Sequence, residues 1–235
     1  MIEPVPAQVE GMFATLAPAY DRFNFLSSLG LDARWRRRVA ARVRPGQRVL
    51  DLGCGTGDLA LTAARRTGPA GKVTGADFAE PMLAVARAKS AASGPAASLI
   101  EWVRASADAL PFADASFDIV VSAFVLRSLA GIRTAVAREA ARVLSTDGTA
   151  CFLELARPKG AWLGALHGLY LSTAIPVIGR LAAGRRWPGA YLTDTIREFP
   201  EPETYAEWFN GEGLRCETIE RLSGGIACLL VLRKA

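Results

Sequence analysis

The run Val49-Leu50-Asp51-Leu52-Gly53-Cys54-Gly55-Thr56-Gly57-Asp58-Leu59 constrains the fold of this chain more than any other stretch. An apolar strand pattern stops at an acid, glycines follow at alternate positions, and a helical pattern begins at once. The same alternation continues downstream. Strand patterns at 47–52, 72–77, 99–105, 117–124 and 149–155 are interleaved with helical ones at 57–66, 80–91 and 131–144. Short apolar runs separated by helices require a parallel sheet covered on both faces. Ligands of such sheets sit outside the carboxyl ends of the strands. Near the end, 214–222 and 225–234 read as a hairpin around Ser223-Gly224-Gly225. Upstream, Val9, Met12, Phe13 and Leu16 share one helical face, so a first helix ends near Pro18. A second helical piece carries Tyr20 to Leu29, and an arginine-rich helix follows Gly30.

With 235 residues, 51% of them hydrophobic, the chain can bury a full core. Its cysteines (54, 151, 216 and 228) form no CxxC pair, and there is one histidine, so zinc ligation is not expected. Without a signal-peptide pattern at the start, reduced thiols and a cytoplasmic location are the expectation. The net charge of +5 has one concentration, "RWRRRVAARVR" at 34–44. Read as a helix, it aligns Trp35, Val39 and Val43, which fits a solvated face packed through that stripe. Attraction to anionic lipid headgroups is the sharper alternative. No nucleic-acid motif or base-stacking aromatic series accompanies the charge. The segment 161–179 has no acid, lysine or arginine and meets the length rule for a membrane span. Three glycines and Pro176 interrupt it, so a buried lid or an apolar substrate wall is expected instead.

The glycine loop excludes two common occupants. A dinucleotide loop needs G-x-G-x-x-G, and the third place here is Asp58; a P-loop needs GK[ST], which is lacking. The spacing is G-x-G-x-G with Asp51 just before it, a carboxylate that would repel a pyrophosphate and suit an ammonium or a sulfonium. The second strand ends in Asp77, which can accept hydrogen bonds from both hydroxyls of a ribose. Glycine loop, preceding acid and ribose acid together point to S-adenosylmethionine. Asp108 and Leu110-Pro111-Phe112 follow the third strand, where an adenine would lie, and the fourth delivers Ala123 and Phe124 to the carboxyl edge.

At this level the sequence resembles a class I methyltransferase, and within that class the UbiE/COQ5 family of quinone C-methyltransferases. The resemblance covers nearly the whole chain. It rests on "VEGMFATLAPAYDRFNFLSSLGLDARWR" (9–36), "LDLGCGTGD", "ALPFADASFD", "FVLRSL", "LELARP" (153–158), "YLTDTIREFP" (191–200) and "LSGGIA" (222–227). It implies a single α/β domain: a doubly wound, mostly parallel seven-stranded sheet with a C-terminal antiparallel hairpin. Its parts are an N-terminal helical cap (1–44), a cofactor-binding half (45–158), an acceptor lid (159–213) and the hairpin (214–235).

Carried over by position, the resemblance implies cofactor contacts from Asp51, Gly53, Gly55, Thr56, Asp77, Phe78, Ser106, Ala107 and Ala123. Tyr20, Phe124, Arg127 and Tyr191 would meet the acceptor, with Arg127 stabilising a developing phenolate. The chain departs from the family pattern at Val125 for glycine, Ser128 for asparagine, Ser106 for Asn or Asp, Ala123 for serine, and Gly189 for an aromatic. These changes cluster at the acceptor pocket and the cofactor's edge. The expected activity is S-adenosylmethionine-dependent C-methylation of a reduced prenylated quinone precursor. Methylation of a phenolic or polyketide natural product, or a cyclase that holds the cofactor without using it, are the rivals. The expected partners are a small lipophilic quinol, a peripheral membrane contact and a second copy of the chain, but no nucleic acid and no metal. His167 lies in an apolar run, where a hydrogen-bonded core histidine is the commoner state, and Asp194 reads as a cap or surface acid.

Overall fold

The computed structural model describes residues 6–95, 97, 100–129, 131–184 and 200–235. Strands β1 (Arg48–Leu52), β2 (Lys72–Asp77), β3 (Ile100–Arg104), β4 (Phe117–Ala123) and β5 (Leu144–Leu155) pair in parallel. Strands β6 (Leu214–Leu222) and β7 (Ala227–Lys234) add an antiparallel hairpin whose turn is a 3-10 segment, Ser223–Gly225. Across the sheet the order is β3-β2-β1-β4-β5-β7-β6. The chain therefore winds outward from β1 to β3, then restarts at β4 on the other side of β1. At that switch point the connections leave in opposite directions, and a crevice opens at the carboxyl ends.

Helices α1 (Pro6–Ser28), α2 (Leu31–Ala40), α3 (Asp58–Thr67), α4 (Glu80–Ala91), α5 (Arg133–Val143), α6 (Ala161–Ala183) and α7 (Pro202–Glu207) complete the fold. The strand alternation sorts the core into two layers. Leu50, Leu52, Val120 and Phe152 face α5 and α7 with Val136, Ala140 and Tyr205. Val49, Val73, Ile119 and Val121 face α2 and α3, where the stripe Trp35, Val39 and Val43 is buried as its spacing predicts.

Two expected helix breaks are absent. Helix α1 runs through Pro18, and α6 runs through Pro176 and its glycines. A proline in mid-helix forfeits one backbone bond, but these helices are held by each other. Phe23 packs with Ile175, Ala182, Leu171 and Ile178, the Tyr170 hydroxyl donates to the Ser27 carbonyl at 2.8 Å, and Arg22 donates to the Ala182 carbonyl. The expectation that 161–179 is buried fails as well. Only one side of α6 meets α1, while Trp162, Leu166, Leu169, Val177 and Leu181 are exposed. By length and composition, Trp162–Ala182 could cross a membrane.

The arginine-rich segment is committed to the protein in part, while Arg34, Arg37 and Arg44 are exposed. Arg36 pairs with Asp32 inside the fold, and Arg38 and Arg42 both reach Glu220 on β6. At the other edge, the Trp102 ring of β3 lies over Gly57 and Gly75. A Cβ on Gly75 would come within 2.6 Å of that ring. Gly75→Ala should therefore cost about 1–3 kcal/mol of stability through overpacking, read as a lower urea midpoint with an unchanged slope. Combining it with Trp102→Leu should recover part of the loss.

Candidate functional site

The crevice is built by the ends of β1, β2 and β4. Asp51, two residues before the first glycine of the loop, is 1% exposed, and its Oδ2 has no hydrogen-bond partner among the described residues. Burial pushes its carboxyl up to about 7, while the Ala60 N–H and the nearby Arg36 guanidinium pull it back. The glycine loop then turns across the end of β2. The Gly53 and Cys54 N–H groups donate to the Ala76 carbonyl at 2.8 and 3.0 Å. The Gly55 N–H donates to Asp77 Oδ2 at 2.8 Å, and the Ala79 N–H to Asp77 Oδ1 at 2.9 Å. Gly53, Gly55 and Gly57 all have positive φ, and a Cβ on Gly55 would meet nothing within 4 Å, so the loop's crest borders open space.

The loop is roofed by α1. The Thr56 hydroxyl donates to Asp21 Oδ1 at 2.5 Å, and Lys89 of α4 donates to Asp21 Oδ2 at 2.8 Å and to Asp58. Tyr20 and Phe78 pack with Ala17, Ala79 and Met82 at the same end. The loop after β3 is tied to Asp77 through the Ala105 N–H at 3.0 Å. Here Ser106 is exposed and its hydroxyl donates to Asp108, with Ala107 beside it on the α5 side of the core. That loop is held by two residues to which the sequence reading gave no role. Arg142 donates to the Phe112 and Leu110 carbonyls at 2.7 and 3.1 Å and to Asp114 at 2.8 Å, while Glu139 accepts the Leu110 N–H at 2.7 Å. Glu139 stands on the otherwise apolar face of α5, and an acid so placed is a signal that its partner lies inside.

At the end of β4 the backbone turns sharply. Phe124 sits at φ 64, a left-handed conformation that costs a residue with a Cβ on the order of 1–2 kcal/mol. Its N–H donates to the Leu153 carbonyl at 2.8 Å, and its ring packs edge-on to Trp35 (centroids 6.3 Å apart) beneath the Arg36 guanidinium. Strain of this kind concentrates at functional corners. Ala123 packs on the α2 face. Val125 lies on Gly53, where an added Cβ would come within 2.6 Å of its side chain, so the valine closes directly on the glycine loop. A 3-10 turn, Leu126–Leu129, follows and carries Arg127, whose Nη1 is buried without a hydrogen-bond partner among the described residues. Beneath this turn lies another residue missed in the sequence, Glu154, which is fully buried.

Asp51, Gly53, Gly55, Thr56, Asp77 and Phe78 thus share one end of the crevice, with Ser106 and Ala107 on its β3 edge. Ala123, Phe124 and Arg127 line up along the corner after β4. Tyr20 packs with the first group. Tyr191 and Asp194 lie outside the described residues. Burial lowers the proton affinity of His167, half-exposed on α6.

An orphaned carboxylate oxygen at Asp51, an open glycine crest and an acid at the end of β2 fit a ligand with a cationic amino-acid end and a ribose. Sheet order and site together define a class I, S-adenosylmethionine-dependent methyltransferase. Solved structures agree on the fold: an S-adenosylmethionine-dependent methyltransferase from Aquifex aeolicus superposes with TM-score 0.61 at 16% identity, over 82% of this chain and 85% of that one. The [4+2]-cyclase SpnF superposes with TM-score 0.72 at 19% identity, over 100% and 97%. The chain belongs to the ubiE/COQ5 methyltransferase family, whose model matches residues 2–234. Similar relatives include the demethylmenaquinone methyltransferase of Thermus thermophilus, 39% identical over 94% of this chain and 98% of the relative. The ubiquinone/menaquinone biosynthesis C-methyltransferase UbiE of Geotalea uraniireducens is 37% identical over 97% and 96%.

Because Lys89 joins α1, α3 and the loop through partly exposed ion pairs, its removal should loosen the roof without unfolding the core. Lys89→Met is expected to speed amide hydrogen exchange across residues 17–28 at least several-fold while exchange in β1 and β4 stays at the wild-type rate.

Proposed function

We propose that this enzyme methylates a ring carbon of a reduced, prenylated quinone precursor of the demethylmenaquinol type. The observation that carries the reading is Arg127: a guanidinium with a buried nitrogen that has no partner among the described residues, at the strained corner after β4. The names of the relatives supply the acceptor class. S-adenosylmethionine, when bound, supplies a methyl group on a cationic sulfur.

The chain's own part is alignment and charge. Asp51 takes the ammonium end of the cofactor through its free oxygen, Asp77 takes the ribose hydroxyls, and Thr56, Phe78, Ser106, Ala107 and Ala123 border the rest. Phe124 and Val125 hold the acceptor ring against the loop, in line for displacement. A ring carbon is a poor nucleophile until its hydroxyl loses a proton, and Arg127 stabilises the resulting oxyanion. An arginine stays protonated throughout, so it acts as an electrostatic partner and not as the base. Tyr20 and Tyr191 complete the proposed acceptor contacts.

The α1–α6 side supports a membrane-surface location for this reaction. Trp162 is 78% exposed, Leu181 74% and Leu29 80%, and α6 holds no acid. Arg180 lies on the same exposed side, and Arg185 and Arg186 follow in the sequence. With its other side packed on α1, the helix is suited to lie along an anionic lipid surface rather than to cross it. The arginine-rich α2, tied to Asp32 and Glu220, has a smaller part in this than its composition implies.

Purified enzyme given labelled cofactor and a panel of reduced quinones should place the label on a ring carbon; label on oxygen, or on none of the quinols, overturns the reading. Cofactor binding should draw the Asp51 carboxyl toward its ionised form and release a proton. Affinity measured by calorimetry is then expected to fall by up to about tenfold per pH unit below pH 7, and Asp51→Asn should flatten that slope. On sedimentation, vesicles containing anionic lipid should carry the protein down, and the pair Leu166→Glu and Leu169→Glu should abolish it.

A further inference from the structure

Glu154 is an acid in a place built for an apolar side chain. It is the penultimate residue of β5, between Phe152 and Ala156 on the face covered by α5 and α7, and is 0% exposed. Its Oε2 accepts the Leu126 N–H at 2.9 Å and its Oε1 accepts the Leu155 N–H at 2.9 Å. One carboxylate therefore joins the end of β5 to the start of the 3-10 turn that follows β4. An apolar residue would leave two buried N–H groups without acceptors, which accounts for a polar side chain here. A neutral amide could serve that purpose in part; a carboxylate brings a charge to Arg127.

The other groups around Glu154 keep that charge relationship simple. Tyr205 of α7 commits its hydroxyl to the Leu155 carbonyl at 3.0 Å, and burial together with Glu154 raises its proton affinity, so it stays neutral. Cys228 of β7, the register partner of Glu154, is pushed up to about 12 by burial and stays a thiol. On β6, Arg221 is bound to Glu203. On α5, Arg133 stacks on Trp208 with its guanidinium carbon 3.8 Å from the ring centre. Arg127 remains as the charged group acting most strongly on Glu154.

We propose that Glu154 is a positioning residue for methyl transfer: its carboxylate clamps the turn that carries Arg127 and shares the guanidinium with the acceptor oxygen. The proposal rests on the acceptor reading given above. An arginine buried without any counter-charge would be strongly destabilising, and one locked in a complete ion pair would have nothing left for an acceptor. Glu154 meets both demands: its charge acts on the half-buried Arg127 without a direct ion pair between them, and the Arg127 Nη1 has no partner among the described residues. As the acceptor hydroxyl gives up its proton, two anions would face one cation in a low-dielectric site, and uptake of a proton by Glu154 leaves the guanidinium to the acceptor oxygen. Burial has already raised the Glu154 carboxyl to about 7, so it is the group poised to do so near neutral pH.

Glu154→Gln should bind S-adenosylmethionine within about twofold of wild type by calorimetry yet lose about tenfold to a hundredfold in kcat through a misplaced turn. The sharper readout is the pH profile of kcat at saturating S-adenosylmethionine, where the Asp51 effect on cofactor affinity drops out: its limb near pH 7 should vanish in Glu154→Gln and persist in Glu154→Asp, which keeps the charge at lower kcat. A Glu154→Gln enzyme with a wild-type pH profile overturns the proposal, whatever its kcat. Carbon-13 carboxyl NMR of the full enzyme needs no variant at Glu154 that might misfold. The buried carboxyl should titrate near 7 and move upward in Arg127→Met; no movement overturns the shared charge. Failure of the wild-type enzyme to methylate any quinol would remove the acceptor reading while leaving this titration to be judged separately.

Discussion

Asp51 enters the folded chain with one oxygen unmatched and almost no exposure to water. In a core, such a group is costly unless a ligand completes it. Much of the neighbouring structure follows from accommodating it. The Ala60 N–H and Arg36 hold its charge in check, Arg36 is itself balanced by Asp32, and Asp32 is held by the Ser28 hydroxyl at 2.8 Å. The arginine-rich helix is thus less a device for outside partners than the inner support of a carboxylate that waits for a cation.

Around that centre, segments far apart in sequence meet through a few specific contacts. Trp35 Nε1 donates to Ser223 Oγ at 3.0 Å and its ring packs on Phe124, so the "WR" end of α2, the glycine pair before β7 and the strained corner after β4 touch in one place. The Ala156 N–H donates to the Ile226 carbonyl at 2.9 Å, linking the "LELARP" stretch to the same turn. Family motifs that look scattered along the chain are the parts of one corner.

The sheet was legible because alternation and glycine placement are local signals, and seven strands emerged in the expected register of parallel and antiparallel pairs. The helices flanking Pro18 and Pro176 were not, because a local breaker was outweighed by packing between two elements more than a hundred residues apart. The cofactor end of the crevice was readable from Asp51, the glycines and Asp77. Glu154, Glu139 and Arg142 were harder to see. Their functions depend on which backbone groups the fold brings within reach, and periodicity shows only that a charged residue occupies an inward position. SpnF has the same fold and a cyclase's name, so fold alone separates none of the chemistries.

The bond between Trp35 and Ser223 spans 188 residues. During synthesis, α1 and α2 emerge first, yet Ser223, which accepts the Trp35 indole N–H, comes only with the hairpin of β6 and β7. The apolar stripe Trp35, Val39 and Val43 can dock earlier on Val49, Leu59, Ile119 and Val121, but its Trp35 end stays incomplete until that hairpin arrives. A chain stopped short of β7 would leave β5 and β6 without the strand that joins them, exposing an unpaired edge and apolar surface of the kind chaperones and proteases recognise.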